Sequence, residues 1–154
     1  MHPNAELLTA FYSSFAAGDH QAMAASYADD ATFSDPIFPN LDADGARAMW
    51  RLFCTSDTHI NVTFSGVQAD DTTGSARWEA IYKFPRTGRP IHNKIASSFA
   101  FRDGLIVRHR DQFDFYRWTR MALGPLGAAL GWTPILRSQV RAQSAKLLAR
   151  SRQA

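Results

Sequence analysis

Apolar positions at the start of the chain recur at helical spacing. Leu7, Leu8, Phe11 and Phe15 fall on one side, and Gly18 follows where a helix would stop. The spacing predicts an amphipathic helix over Pro3 to Ala17. Asp19 offers an N-cap to a second short helix carrying Met23 and Tyr27, before Asp29 and Asp30 break the pattern. Ala31 to Ser34 reads as a brief strand, and Pro36 and Pro39 enforce an extended loop. Asp44 can then cap a third helix bearing Ala48, Met49, Leu52 and Phe53.

From His59 to Val67 the period changes to two, with Ile60, Val62 and Phe64 alternating with Asn61, Thr63 and Ser65. Three more strands are predicted over Ser75 to Phe84, Ile91 to Phe101 and Leu105 to Tyr116. Their connections are Asp70 to Gly74, Arg86 to Gly88, and Asp103 with Gly104. Helices first and then consecutive antiparallel strands predict an α+β fold, with a strongly twisted sheet whose concave face the helices cover. Met121 to Leu136 carries no charge but is punctuated by Gly124, Pro125, Gly127, Gly131 and Pro134, so it is not one straight helix. Beyond it, Leu136, Val140 and Leu147 line one side of a terminal helix whose other side carries arginines.

Composition narrows the classes. With 154 residues, 45% apolar and 20% charged, the chain suits one core and neither disorder nor a coiled coil. One cysteine, Cys54, permits no internal disulfide, and its apolar setting reads as filler rather than nucleophile. No run reaches the length needed to span a bilayer, and the first ten residues lack a secretory pattern, so stable membrane insertion is not expected and a cytoplasmic location is. The net charge of +3 belongs to the tail: Arg137, Arg141, Lys146, Arg150 and Arg152 have no acid among them, and without them the balance is −2. Basic residues interleaved with aromatics are missing there, and no nucleic-acid partner is expected.

Parity along the fourth strand separates two kinds of polar residue. Leu105, Val107, His109, Asp111, Phe113 and Phe115 share one face, while Arg108, Arg110, Gln112 and Asp114 share the other. His109 and Asp111 therefore point into apolar surroundings, either satisfying each other or forming a desolvated proton carrier. On the second strand Trp78, Ala80, Tyr82 and Phe84 share a face opposite Arg77 and Glu79. That pair is either solvated or, if the aromatic face meets another subunit, directed into a cavity. Asp35, directly before Pro36, is a turn carboxylate or a general base at a pocket rim. The histidines at positions 2, 20, 59, 92 and 109 show no paired ligand spacing, so no metal is expected, and no glycine-rich phosphate loop implies a cofactor.

The run from Tyr27 to Pro36, preceded by Ala17-Gly18-Asp19, resembles the opening of the nuclear transport factor 2-like superfamily. The likeness extends through Gly104 into Arg110-Asp111-Gln112-Phe113-Asp114. The superfamily includes ketosteroid isomerases, limonene epoxide hydrolase, scytalone dehydratase and SnoaL-type polyketide cyclases. The resemblance implies a cone-shaped α+β barrel enclosing an apolar pocket, commonly dimeric through the sheet. Likeness to the ketosteroid isomerases puts their base on Asp35 and their oxyanion donors on Phe11 and Ser97. Likeness to limonene epoxide hydrolase implies that Asp111 activates water, Glu79 protonates the epoxide and Arg77 bridges them, with two further water-holding positions falling on Phe33 and Asp35. Likeness to the cyclases again selects Asp111.

The expectation is thus a pocket domain over residues 1–118 and a helical extension over 119–154 that packs on the same domain or a sister subunit. Cofactor-independent acid/base chemistry on a small hydrophobic oxygenated ligand would be carried by Asp111, Glu79, Arg77, Asp35 and His109. The pocket would be shaped by Phe11, Phe15, Tyr27, Phe33, Trp50, Phe53, Asn93, Ser97, Phe99 and Phe113. The alternative is a protein of the same fold that binds such a ligand without changing it.

Overall fold

The computed structural model describes residues 1–153. Helices α1 (Pro3–Ala17) and α2 (His20–Ala25) are followed by strand β1 (Tyr27–Ser34) and a short β2 (Leu41–Asp42). Helix α3 (Ala43–Thr55) leads into β3 (Asn61–Ala69), β4 (Thr73–Lys83), β5 (Pro90–Arg102) and β6 (Leu105–Gln112). Helices α4 (Phe115–Leu123), α5 (Pro125–Leu130) and α6 (Pro134–Gln153) complete the chain. The six strands form one sheet in the order β2-β1-β6-β5-β4-β3.

The expected α+β architecture is present, with two corrections to the sheet. It is mixed rather than purely antiparallel, because β1 returns beside β6 in parallel. The last strand also stops at Gln112 rather than at Tyr116. Asp114 turns the chain there by accepting from the Arg117 backbone N–H at 3.0 Å, which satisfies an orphan donor of α4. Similarly, α3 is capped by Asp42, whose Oδ1 accepts from Gly45 N at 2.7 Å, while Asp44 is the second residue of the helix and approaches Arg47. The β5–β6 turn follows expectation, since Asp103 (φ 55°) and Gly104 (φ 77°) both take the left-handed conformation of a tight hairpin.

Leu8, Phe11, Tyr12 and Phe15 of α1 are all buried, joining Tyr27, Phe33, Trp50, Trp78 and Phe99 in the main core. A second cluster of Ile91, Phe115, Trp118 and Ala122 fastens α4 to the far end of β5. Along β5 the residues Ile91, Asn93, Ile95, Ser97, Phe99 and Phe101 alternate inward. The β5–β6 register slips between Ala100 and Phe101, which places Ile106 rather than Val107 inside and leaves the inward direction of His109 and Asp111 intact.

Candidate active site

Ser97 and Asp111 are directly opposed in the β5–β6 register, and Trp78 lies on the neighbouring strand. This pairing brings three side chains together on the concave face. Ser97 Oγ accepts from Tyr12 Oη at 2.7 Å and from Trp78 Nε1 at 3.0 Å. Its own proton is therefore left for Asp111 Oδ1, 2.5 Å away.

A second chain of donors reaches the same oxygen. Trp50 Nε1 donates to Tyr27 Oη at 2.8 Å, and Tyr27 Oη lies 2.8 Å from His109 Nδ1. Since the indole can only donate, the phenol proton goes to Nδ1, which assigns the imidazole proton to Nε2 and directs it at Asp111 Oδ1, 2.7 Å away. Burial holds the Tyr12 and Tyr27 phenols well above their ordinary range, so both stay protonated. Asp111 Oδ1 thus accepts two hydrogen bonds from groups that are themselves fixed. His109 and Asp111 are only 1% and 3% exposed and bond each other, so the pair satisfies itself inside the wall, one of the two readings its parity allowed.

Asp111 forms part of the wall of a cavity of about 920 Å³ whose other walls include Phe15, Trp50, Trp78, Ile95 and Phe113. Asp35 borders the same space. Its Oδ1 accepts from the backbone N–H groups of Ile37 at 2.7 Å and Phe38 at 2.6 Å, as the Pro36 turn dictates. Burial nevertheless pushes its carboxyl up to about 7; the Asp111 charge adds to the rise, and the two N–H groups and Arg141 oppose it.

The remaining sequence candidates divide. Phe15, Trp50, Phe53, Asn93 and Phe113 border the cavity. Phe11, Tyr27, Phe33, Ser97 and Phe99 do not; they are packed behind its wall, with Tyr27 and Ser97 positioning the carboxylate through the donor chains. Arg77 and Glu79 occupy the opposite side of the sheet. Arg77 is exposed, and Glu79 is half-exposed and bonded to His92 Nε2 at 2.6 Å. The strand's period of two sends them outward because Trp78 and Ala80 are buried inward, so the aromatic side of β4 is core rather than a surface for another subunit. Burial also raises the Cys54 thiol, the opposite of what activates a nucleophile.

Two parts of the site are not among the pocket and catalytic residues expected from the sequence. One is Tyr12, whose sequence signal is that Leu8, Tyr12 and Phe15 follow the spacing of a buried helical stripe. The other is the outer wall, where Leu136, Val140 and Leu147 of α6 border the cavity. Arg141 Nε bonds the Pro36 carbonyl at 3.0 Å and Arg86 bonds Gln143, tying this helix across the opening.

Among the described residues no helix is long and apolar enough to cross a membrane. Comparison with solved structures returns the same fold repeatedly. An LEH-like epoxide hydrolase of M. tuberculosis aligns with a TM-score of 0.66 at 17% identity, over 85% of this chain and 97% of that one. A candidate polyketide cyclase of Xanthomonas campestris gives 0.65 at 22% identity, over 77% and 96%. A Catenulispora acidiphila protein with a ketosteroid isomerase-like fold, in complex with trimethylamine, gives 0.67 at 16% identity, over 84% and 98%. Comparison with curated proteins returned no match. The profile of the SnoaL-like domain matches residues 8–109, most of the chain, and ends two residues short of Asp111. With that match and the nuclear transport factor 2-like fold around it, the chain belongs to the SnoaL-like domain family.

Proposed function

We propose that the protein is an acid/base catalyst of isomerase, cyclase or epoxide hydrolase type, acting on a small hydrophobic oxygenated molecule held in the cavity. The observation that carries this reading is the state of Asp111: two oriented donors converge on Oδ1 while the residue borders an apolar cavity. A carboxylate held in this way is preorganised to accept a proton from substrate or water. Asp35, pushed up to about 7 on the same cavity, supplies a group able to hold or return a proton near neutral pH. Two carboxyls bordering one cavity suit a division into base and acid. Ser97, His109, Tyr12 and Tyr27 act as positioning residues. Arg77 and Glu79 have no part in this scheme, which separates it from the epoxide hydrolase assignment of roles. A homodimer formed through the outer face of the sheet is compatible with both residues lying there.

The test is turnover. Purified protein is incubated with hydrophobic epoxides and with polyketide-type enolisable ketones, and products are followed by mass spectrometry. On whichever substrate is converted, Asp111→Asn lowers kcat by about 10²- to 10⁴-fold. Full turnover by that variant overturns the assignment.

A second reading is ligand binding without chemistry. It is favoured by Phe11 and Phe33, two positions on which the resemblance to catalytic members puts hydrogen-bonding groups and which here carry buried rings with no donor. Recovery of the ligand that copurifies with the protein, unaltered after prolonged incubation, would support it.

A further inference from the structure

The fold leaves an apolar tip uncovered at the start of the C-terminal helices. Leu126, Leu130, Trp132 and Ile135 are 52%, 44%, 73% and 72% exposed. The segment is firmly held. Gly127 and Gly131 approach α4 so closely that a Cβ on either would collide with Thr119. Trp132 Nε1 donates to the Ala129 carbonyl at 3.0 Å, and Thr133 Oγ1 to the Leu130 carbonyl at 2.6 Å. These apolar side chains are therefore presented outward by a rigid support.

Charge says what they face. Residues 115–154 contain Arg117, Arg120, Arg137, Arg141, Lys146, Arg150 and Arg152 and no Asp or Glu, whereas residues 1–114 hold ten Lys and Arg against all 14 acids. Among the described residues none of these seven cations is paired with a carboxylate. Arg117 and Arg141 bond backbone carbonyls, and Arg120 and Arg137 lie over the rings of Tyr116 and Phe115. The cavity is continuous with this region, since Leu126, Leu147, Lys146 and Arg150 form part of its border.

We propose that the C-terminal face docks peripherally on an anionic lipid bilayer. Trp132, Ile135 and Leu130 seat at the headgroup boundary, the cations meet lipid phosphates, and the cavity opening lies at the membrane surface from which a hydrophobic ligand is drawn. An exposed indole with aliphatic neighbours and surplus cations is the combination an anionic interface stabilises. A second copy meeting the same segment would bring together two cation-rich stretches with no acid in either. Nucleic acid would leave three aliphatic side chains without stacking partners.

The full chain is mixed with vesicles of phosphatidylcholine alone or of phosphatidylcholine with phosphatidylglycerol, and followed by cosedimentation and tryptophan emission. Trp50, Trp78 and Trp118 are 1%, 8% and 4% exposed, so an emission blue shift on binding reports Trp132. Binding to the anionic vesicles, with that shift and with weakening as salt rises, is expected. The double variant Trp132→Ser with Ile135→Ser keeps its circular dichroism and lowers the partition coefficient by about tenfold or more. Three results overturn the proposal: no sedimentation with anionic vesicles, equal sedimentation with neutral ones, or tighter binding to an RNA homopolymer at the same salt. Conversion of a dimer to a monomer by the double variant overturns it as well, assigning the face to a second copy.

Discussion

Ser97 stands directly across the sheet from Asp111, and its single proton is committed to that carboxylate because Tyr12 and Trp78 already donate to its oxygen. A serine that could otherwise rotate is thereby turned into a fixed donor. Ser97→Ala leaves Asp111 with His109 alone and strands two buried donors. Turnover is expected to fall by about tenfold or more with little change in KM, since the lost bond positions the reacting group rather than the ligand. A change confined to KM would contradict this role.

The two buried tyrosines differ in how much depends on them. Tyr27→Phe removes both the acceptor of Trp50 Nε1 and the donor to His109 Nδ1, so two buried polar groups lose partners. A loss of about 2–5 kcal/mol in unfolding free energy is expected. Tyr12→Phe removes one donor from Ser97, which still accepts from Trp78, and costs about 1 kcal/mol. Chemical denaturation of the two variants side by side reads the difference; equal losses would show that the donor chain through His109 is not coupled as drawn.

Asp35 makes stability depend on pH in a particular direction. Its carboxyl is raised from 3.8 to about 7, so between those values the folded chain keeps a proton that the unfolded chain has released. Unfolding free energy therefore falls as pH rises through that window and levels off above it. In Asp35→Asn the amide oxygen can still accept from Ile37 and Phe38, and this slope disappears. Above neutral pH the variant is the more stable of the two, by on the order of a few kcal/mol. Melting temperatures of both proteins from acid to mildly alkaline pH check the sign.

Glu79→Gln addresses the role suggested by likeness to epoxide hydrolases. The side chain is on the outer face with His92, so turnover is expected to change by less than about threefold. A loss comparable to that of Asp111→Asn would put the outer face into the chemistry.

Gly127→Ala tests the support of the C-terminal tip. An added methyl would overlap the Thr119 backbone, and α5 would have to separate from α4. We expect a loss of about 2–3 kcal/mol, against about 1 kcal/mol for Ala128→Gly, which changes only helix propensity at an exposed position. Thermal melts of the two variants distinguish steric overlap from propensity.

Much of the fold was legible because the strands alternate so regularly. Period two was sufficient to turn His109 and Asp111 inward, but on β4 it only separated Trp78 and Ala80 from Arg77 and Glu79; the expectation that Arg77 and Glu79 join the chemistry fails because the burial of Trp78 and Ala80 sends them outward. The same parity ran too far at Phe113 and Phe115, since a cap at Asp114 ends the strand and periodicity alone does not register a capping residue. Asp35 was legible as a turn residue before proline, but its raised carboxyl comes from burial and from Asp111, neither of which is local.

The sequence by itself determined the opening helices, the long strands and the terminal helix, the inward direction of Asp111 and the division between an acidic body and a basic tail, because each follows from spacing within a few residues or from counting charge. Only the tertiary structure decided that Tyr12, Ser97 and Trp78 join Asp111, that β1 runs parallel beside β6, and that α6 walls the cavity. These depend on register between strands and on contacts between residues as far apart as Tyr12 and Ser97 or Pro36 and Arg141. Such distant contacts form only when the whole core closes, and no local pattern of polar and apolar positions specifies them.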